Sequence, residues 1–140
     1  MVVRYALTLD DHLAWFDYYT SHVARPWSAR LPIVGRADLA RRRSKFAHAL
    51  SSAANAAALG ERSIELSADR VREFSSGFDF STAWQELAFA VVTSQHLFLA
   101  HPSMNAHIIP LRSFDSETAK EAFIRHATSH APSVRDHRHA

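Results

Sequence analysis

The sequence predicts an α+β fold in which an antiparallel sheet or barrel of about seven strands is capped by a C-terminal helix. The strongest observation is the apolar run of residues 87–92, which is short and ends in β-branched residues, as buried strands do. Similar runs alternate with turn-forming residues over positions 62–110, which predicts an antiparallel meander. Further on, Asp115 or Ser116 as a cap, followed by Glu117, predicts the start of a helix.

The N-terminal part predicts one strand and then a helix. Residues 2–8 have the composition of a strand, and Thr8 is placed to cap the helix that follows. Asp11 lies three residues further on, in the position that completes a capping box. The helix is expected to end near Ala24, because Pro26 disfavours helical geometry in the residue before it.

A second helix is predicted after an irregular segment. Residues 26–35 contain two prolines and a glycine, which indicates a loop. The helix is expected over about residues 37–59, with Asp38 in its first turn and Gly60 at its C-terminal stop. The two helices together form a predicted helical hairpin that spans residues 10–59.

The remaining chain predicts six strands, which are 62–67, 71–74, one beginning at 78–80, 87–92, 97–100 and 106–109, with a helical turn at 84–86. A four-residue loop between the last two strands pairs Ala100 with His107 and Leu99 with Ile108. In that register His101 and His107 leave opposite faces of the hairpin. Both faces of the hairpin are apolar, so we expect it to be covered on both sides.

The last predicted helix covers residues 116–130 and packs on the sheet through Phe123, with Ala119 and Ala127 also turned inward. Pro132 ends it, and residues 132–140 are predicted to be a frayed tail. The predicted order of elements is pleckstrin-homology-like. It has one strand before residue 10, six strands after Gly60 and a closing helix. The helical hairpin 10–59 is then an insertion after the first strand of a single domain spanning residues 1–140.

Several segments resemble the YcxB-like family of bacterial proteins. The matching segments are Tyr5-Ala-Leu-Thr8 with Asp11, Ile64-Glu-Leu-Ser-Ala-Asp69, Phe80-Ser-Thr-Ala-Trp84, His96-Leu-Phe-Leu99, and Ile108-Ile-Pro110 followed by Arg112-Ser-Phe114. The resemblance implies a bacterial pleckstrin-homology-like domain, and it implies no particular biochemical activity. Members of the family usually carry two membrane-spanning helices after the first strand, whereas residues 26–40 of this chain contain no such segment.

Composition limits the classes of function. The chain has 140 residues, no cysteine and a formal net charge of +2, which argues against disulfides, thiolate chemistry and general nucleic-acid binding. No leader peptide is expected at the N-terminus, and no apolar run approaches the roughly 18 residues of a membrane span. We therefore expect a soluble cytoplasmic protein, or one held peripherally on the inner face of the cytoplasmic membrane.

The histidines give no clear catalytic or metal signature, so the sequence predicts a protein that is not an enzyme, with no cofactor and no metal. His126 and His130 have the spacing of a metal pair, but no Glu follows His126 as in metalloproteases, and we interpret them as solvated or edge histidines. The alternative is a small enzyme that uses His96, His101 and Asp79. That alternative requires the three side chains to converge in one pocket.

The basic run is the one unusual charge feature. Residues 25–45 hold seven basic residues against the single acid Asp38, a local charge of +6 in a chain of +2. Four of the basic residues, predicted to begin the second helix where cations oppose its dipole, are the candidate binding residues Arg41, Arg42, Arg43 and Lys45. The sequence leaves three partners open: an anionic membrane surface, another protein, or a second copy of the chain docking through the alanine-rich residues 53–58. A merely solvated face is the competing interpretation.

Overall fold

The computed structural model describes residues 1–26 and 31–138, and within them the α+β prediction is confirmed. The strands are β1 (Val2–Leu7), β2 (Gly60–Leu66), β3 (Arg70–Phe74), β4 (Asp79–Ala83), β5 (Phe89–Val92), β6 (His96–Ala100), β7 (Ala106–Pro110) and β8 (Val134–Asp136). The α-helices are α1 (Leu9–Tyr18), α2 (Pro32–Leu50) and α3 (Glu117–His130). Short 3₁₀ turns cover Ala53–Ala58, Trp84–Glu86 and Leu111–Ser113, and a π-helical turn covers Tyr19–Val23.

The strands form two four-stranded sheets. The first has the order β1-β2-β3-β4 and the second the order β7-β6-β5-β8. Pairing between strands within residues 62–110 is antiparallel, as predicted. The described strands do not close into a barrel, because each sheet ends in two edge strands. A closed barrel, one form of the predicted architecture, is therefore not observed.

The second sheet forms most of the hydrophobic core. Every residue of β5 and β6 is buried, and so is most of β7, which confirms that both faces of the hairpin are covered. Successive side chains of a strand point to opposite faces of the sheet, so strands that are apolar throughout must be covered on both faces. The fully buried side chains in this sheet include Val91, Val92, Leu97, Phe98, Leu99 and Ile109.

The β6–β7 hairpin differs by one residue from the predicted register. Ala100 pairs with Ala106 and Leu99 pairs with His107. The connecting loop has five residues rather than four, and a backbone hydrogen bond of 2.9 Å from His101 N to Asn105 O closes it. Because successive side chains in a strand alternate between faces, a shift of one residue moves His107 to the opposite face. The prediction that His101 and His107 diverge is therefore wrong.

Helix α3 follows the prediction, whereas the C-terminal tail does not. Ser116 caps α3 by accepting a hydrogen bond from the amide of Ala119, and Phe123 and Ala127 are buried while Ala119 is exposed. Residues 132–140 were predicted to be frayed, but β8 adds to β5 as a parallel strand. The strand forms because the β5 edge offers unpaired backbone groups that tail residues can satisfy.

The chain divides into two compact units. One contains residues 1–7 and 61–140, and the other contains residues 8–60. The first unit holds both sheets and α3, and its first strand is tied in by a hydrogen bond of 2.8 Å from the Leu66 amide to the Met1 carbonyl. That residues 1–140 act as one domain stays a prediction.

The second unit begins with a well-capped helix. Thr8 and Asp11 form the predicted capping box, with the Thr8 amide donating to Asp11 Oδ2 at 2.9 Å. The helix continues through the π-helical turn and ends at Ala24, as predicted. Capping boxes of this kind satisfy two backbone amides that would otherwise lack partners at a helix start.

Helix α2 begins and ends earlier than predicted. It begins at Pro32, because proline fits the first helical position, where its missing amide proton is not needed. It ends at Leu50, and Ala53–Ala58 forms a 3₁₀ turn rather than the end of a long helix. Gly60 has a φ of 97° and begins β2. Of the predicted loop 26–35, residues 27–30 lie outside the described part of the chain.

Candidate functional site

The four candidate binding residues lie in the middle of α2, in the second unit. Arg41, Arg42, Arg43 and Lys45 are all exposed. They follow the start of the helix at Pro32 by nine residues or more, so the argument that they oppose its dipole does not hold. Arg30, which the sequence grouped with them, lies outside the described residues.

The three guanidinium groups among these four residues already have carboxylate partners. Arg41 contacts Asp38 Oδ1 at 2.8 Å, and Arg42 contacts Asp38 Oδ2 at 2.8 Å. Arg43 contacts Asp17 of α1 at 3.0 Å. Helix α2 nevertheless carries five basic residues against the single acid Asp38, so its surface stays strongly cationic.

The two sides of α2 have different roles. Phe46 stacks on Phe16 of α1 with 5.1 Å between ring centroids, and Arg43 lies toward the same side. Arg41 and Lys45 follow Val34 by seven and eleven positions, which are close to two and three full helical turns. The three side chains therefore lie together on the side of α2 opposite to Phe46 and Arg43. We call Arg41 and Lys45 the cationic face.

The first turn of α2 exposes aliphatic side chains. Ile33 is 83% exposed and Val34 is 60% exposed, and Leu31 just before the helix is also exposed. Of the nineteen residues of α2, the buried one is Gly35. Large aliphatic side chains at this level of exposure are a marker of a binding surface when they cluster. We call Leu31, Ile33 and Val34 the aliphatic turn.

A second candidate site lies in the first unit, where two histidines meet a buried glutamate. Glu73 lies on β3, His107 lies on β7, and His101 begins the loop between β6 and β7. Leu99 pairs with His107, and His101 follows Leu99 by two residues, so both histidines project from the same face of that sheet. We call Glu73, His101 and His107 the histidine–glutamate cluster.

Hydrogen bonds join the cluster in a chain. His107 Nδ1 donates to Glu73 Oε1 at 3.0 Å, since an ionised carboxylate only accepts. Arg62 Nη1 donates to the other oxygen of Glu73 at 3.0 Å, and the Tyr5 hydroxyl lies 3.5 Å from Oε1. The Nε2 atoms of His101 and His107 are 3.3 Å apart. These contacts hold His107 with its Nε2 directed at His101.

The surroundings shift two pKa values in the cluster. Burial alone raises the pKa of Glu73, but the hydrogen bond and charge of His107, with the charge of Arg62, outweigh burial and lower it below its usual range. Burial lowers the pKa of His101, and the neighbouring His107 lowers it further. Glu73 is therefore ionised at neutral pH and His101 is neutral.

The cluster borders a cavity of about 310 Å³. Phe80 forms one wall, with its ring centroid 5.8 Å from each imidazole, and it is 53% exposed. Phe80 pairs directly with Glu73 across β3 and β4, which explains why both face this space. The remaining lining comes from Ser103, Asn105 and Ala106 of the hairpin loop and β7. The cavity therefore reaches both histidines, of which His101 is partly exposed and His107 is buried.

The residues proposed for the alternative enzyme have separate partners. Asp79 binds the guanidinium of Arg72 at 2.8 Å, and the ring of His96 stacks on Phe98 at 5.2 Å. His101 contacts His107 instead. The convergence of His96, His101 and Asp79 that the enzyme alternative requires is therefore not observed.

The other histidines and hydroxyls near these sites have structural contacts. Thr82 Oγ1 lies 3.5 Å from His107 Nε2 but is 2% exposed, so it is poorly placed as a nucleophile. His126 and His130 stack at 4.4 Å, and each approaches a backbone carbonyl, those of Ser67 and His126, so they are not simply solvated. Within the described ranges no group of three or more His, Cys, Asp or Glu side chains converges to hold a metal ion.

Sequence reasoning missed the histidine–glutamate cluster because its members come from separate strands. The available signal was the presence of polar residues in strands that pack against the core, namely Glu73 in β3 and His107 in the otherwise apolar β7. A buried polar residue in such a strand is an informative observation, because it requires a partner. Which partner it finds depends on the pairing of strands that are distant in sequence.

The fold and the sites define a small α+β protein with two open sheets, a buried polar cluster and a separate helical unit. Residues 66–127 match the model of the YcxB-like protein family, which confirms the resemblance noted in the sequence for that part of the chain. The matched part includes Glu73, His101 and His107, whereas α2 precedes it. No curated protein and no solved structure matches the chain significantly. Across residues 1–26 and 31–138, no helix has both the length and the apolar character required to cross a membrane.

Proposed function

We propose that this protein is a non-enzymatic interaction module that binds anionic membrane surfaces peripherally through α2. The observation that carries the proposal is the adjacency of the aliphatic turn and the cationic face on one helix. Ile33 and Val34 are exposed at the start of α2, and Arg41 and Lys45 lie about two to three helical turns further along. Apolar side chains that enter the headgroup region and cations that contact anionic lipids are the two contributions that hold interfacial helices.

The ion pairs of α2 indicate which of its basic residues are available to contact a membrane. Arg43 lies toward α1 and pairs with Asp17, so it is turned away from the proposed membrane contact, and this exposed ion pair adds little stability. Arg41 shares Asp38 with Arg42, and an exposed pair of this kind is weak enough to open when a lipid phosphate competes. We therefore assign the membrane contact to Arg41 and Lys45, with Arg42 beside them.

The proposed site of action is the inner face of the bacterial cytoplasmic membrane, which carries anionic lipids. A pleckstrin-homology-like relationship is part of the same proposal. It is supported by the order of elements in the first unit, in which, over the described residues, the seven strands β1 to β7 precede α3 and only the short strand β8 follows it.

Vesicle sedimentation tests the proposal. The wild-type protein is mixed at low salt with phosphatidylcholine vesicles that either contain or lack phosphatidylglycerol, and it is expected to sediment with the anionic vesicles alone. Each basic residue at such a surface contributes about 1 kcal/mol, so the double substitution Arg41→Gln, Lys45→Gln is expected to weaken binding about 30-fold. Replacing all four basic residues with Gln is expected to abolish sedimentation while the thermal midpoint stays nearly unchanged.

Matched variants separate a specific surface from net charge. Arg4→Gln with Arg70→Gln removes the same charge from exposed residues of the first unit, and it is expected to leave binding within about twofold of wild type. Ile33→Ser with Val34→Ser keeps every charge and is expected to weaken binding at least tenfold, because the aliphatic contribution is lost. A wild-type protein that ignores anionic vesicles at low salt contradicts the proposal.

A further inference from the structure

The separation of the two histidine nitrogens matches that of neighbouring ligands on a metal ion. Zinc–imidazole bonds of about 2.0–2.1 Å at the tetrahedral angle put two ligand nitrogens about 3.3–3.4 Å apart. The Nε2 atoms of His101 and His107 are 3.3 Å apart. The pair therefore already has the spacing that a tetrahedral metal requires.

The second ring nitrogen of His107 contacts a carboxylate, as is usual for histidines that bind metals. Its Nδ1 donates to Glu73 Oε1, which orients the ring with Nε2 directed at His101. Carboxylate–imidazole contacts of this kind orient ligand histidines and raise their basicity. Glu73 is itself held by Arg62 on its other oxygen, so the orienting carboxylate cannot easily rotate away.

The cavity leaves room for the other ligands of the metal. Ser103, Asn105 and the exposed ring of Phe80 surround about 310 Å³ next to the histidines. Two protein ligands fill half of a tetrahedral shell, so water or a ligand donor atom would take the other two positions. Arg62 and Glu73 neutralise each other, and the positive charge of the metal therefore favours an anionic donor from the ligand.

We propose that His101 and His107 bind one divalent transition-metal ion of the kind that prefers imidazole, such as Zn²⁺, with Glu73 as the positioning residue. The metal ion would present two open positions to a small anionic ligand in the cavity. This site lies on different residues from α2 and does not depend on the membrane proposal.

Calorimetric titration of zinc chloride into the full chain, freed of metal by a chelator and dialysed, tests the proposal. One equivalent of Zn²⁺ is expected to bind, and the His101→Gln variant is expected to lose at least tenfold in affinity. His101 is partly exposed at the start of a loop, so this variant should fold, and circular dichroism verifies that it does. Glu73→Gln keeps both ligands, and it is expected to weaken binding 10- to 100-fold, as is usual when the carboxylate behind a ligand histidine is lost.

The control variant removes the other neighbouring histidine pair. His126→Gln with His130→Gln takes away two imidazoles from α3, and it is expected to leave the stoichiometry and affinity of zinc binding unchanged. Nitrogen-15 spectra of the imidazoles give an independent readout, in which Nε2 of His101 and His107 should shift on addition of zinc. The proposal is overturned if the wild type binds no zinc below millimolar concentration, or if the affinity for zinc is unchanged in His101→Gln.

Discussion

At the scale of single residues, the arrangement around Glu73 shows how one buried carboxylate organises three strands. Arg62 on β2 and His107 on β7 both contact it, and all three side chains are largely removed from solvent. A buried ion pair of this kind adds little stability compared with an apolar pair of the same size. Removing one member is costly, however, because the other is left charged and buried without its partner.

We predict that Glu73→Ala lowers the free energy of unfolding by about 3–5 kcal/mol. The matched control is Glu61→Ala, which breaks the exposed ion pair with Arg4 in the same unit and should cost less than about 1 kcal/mol. Urea denaturation of both variants measures the difference. Equal effects for the two substitutions would mean that Glu73 is not paired as described.

Phe123 is the largest of the buried apolar residues that hold α3 in place, with Ile124 and Ala127 beside it. Its side chain is buried, and its ring lies 5.1 Å from that of Phe114. We predict that Phe123→Ala lowers the free energy of unfolding by about 3–5 kcal/mol, because it loses apolar burial and leaves a cavity. Thermal and urea denaturation measure this loss. A cost below about 1 kcal/mol would contradict the packing of α3.

At the scale of elements, β8 is a strand formed by a tail that was expected to fray. Ser133 accepts a hydrogen bond of 2.8 Å from the Ala90 amide, and the His137 amide donates to the Val92 carbonyl at 2.8 Å. Arg138 anchors the end of the tail by contacting Asp136 and Glu121. The tail thus satisfies backbone groups along one edge of β5.

We predict that deleting residues 132–140 speeds hydrogen exchange at the Ala90 amide, because that amide loses its acceptor. Arg138→Ala keeps the strand and is expected to leave most of the protection in place. Mass spectrometry of peptides that cover β5 gives the readout. Unchanged exchange in the deletion variant would show that β8 does not cover this edge in solution.

At the scale of the whole molecule, charge is unevenly distributed along the chain, and the proposed membrane binding depends on it. The screening length is about 8 Å at physiological ionic strength and about 3 Å at 1 M salt. We predict that salt near 1 M releases the wild-type protein from anionic vesicles to the level of the fourfold Gln variant at low salt. Vesicle sedimentation across a salt series measures the release. Binding that resists salt would assign the attachment to the aliphatic turn alone.

Self-association through residues 53–58 stays a prediction, and light scattering during size-exclusion chromatography measures it. The side chains of residues 53, 54 and 56 lie outside what the structure describes. A dimer whose mass falls to that of the monomer when Ala57 and Ala58 are replaced by Glu would support the alanine-rich segment as the contact. A monomer across the micromolar range would contradict it.

The sequence by itself determined the type and order of most elements, because the relevant signals are local. Thr8 with Asp11 marks the start of α1, Ser116 marks the start of α3, and short β-branched runs mark the strands. These signals act between residues a few positions apart, and the chain keeps them in almost any tertiary context. The start of α2 at Pro32 was also available locally, since proline is favoured at that position, but it was interpreted as a loop.

Only the tertiary structure decided where the polar side chains meet. The pairing of Leu99 with His107 rather than Ile108 depends on a loop of five residues, and this single step brings His107 to the side of His101. Glu73 then meets His107 across the two sheets, over a separation of 34 residues. The strand β8 likewise forms because the edge of β5 is unpaired in three dimensions, which no property of residues 134–136 reveals. Strand register and edge pairing are determined by the sum of contacts over the whole fold, so the secondary-structure propensity of a local segment predicts neither of them.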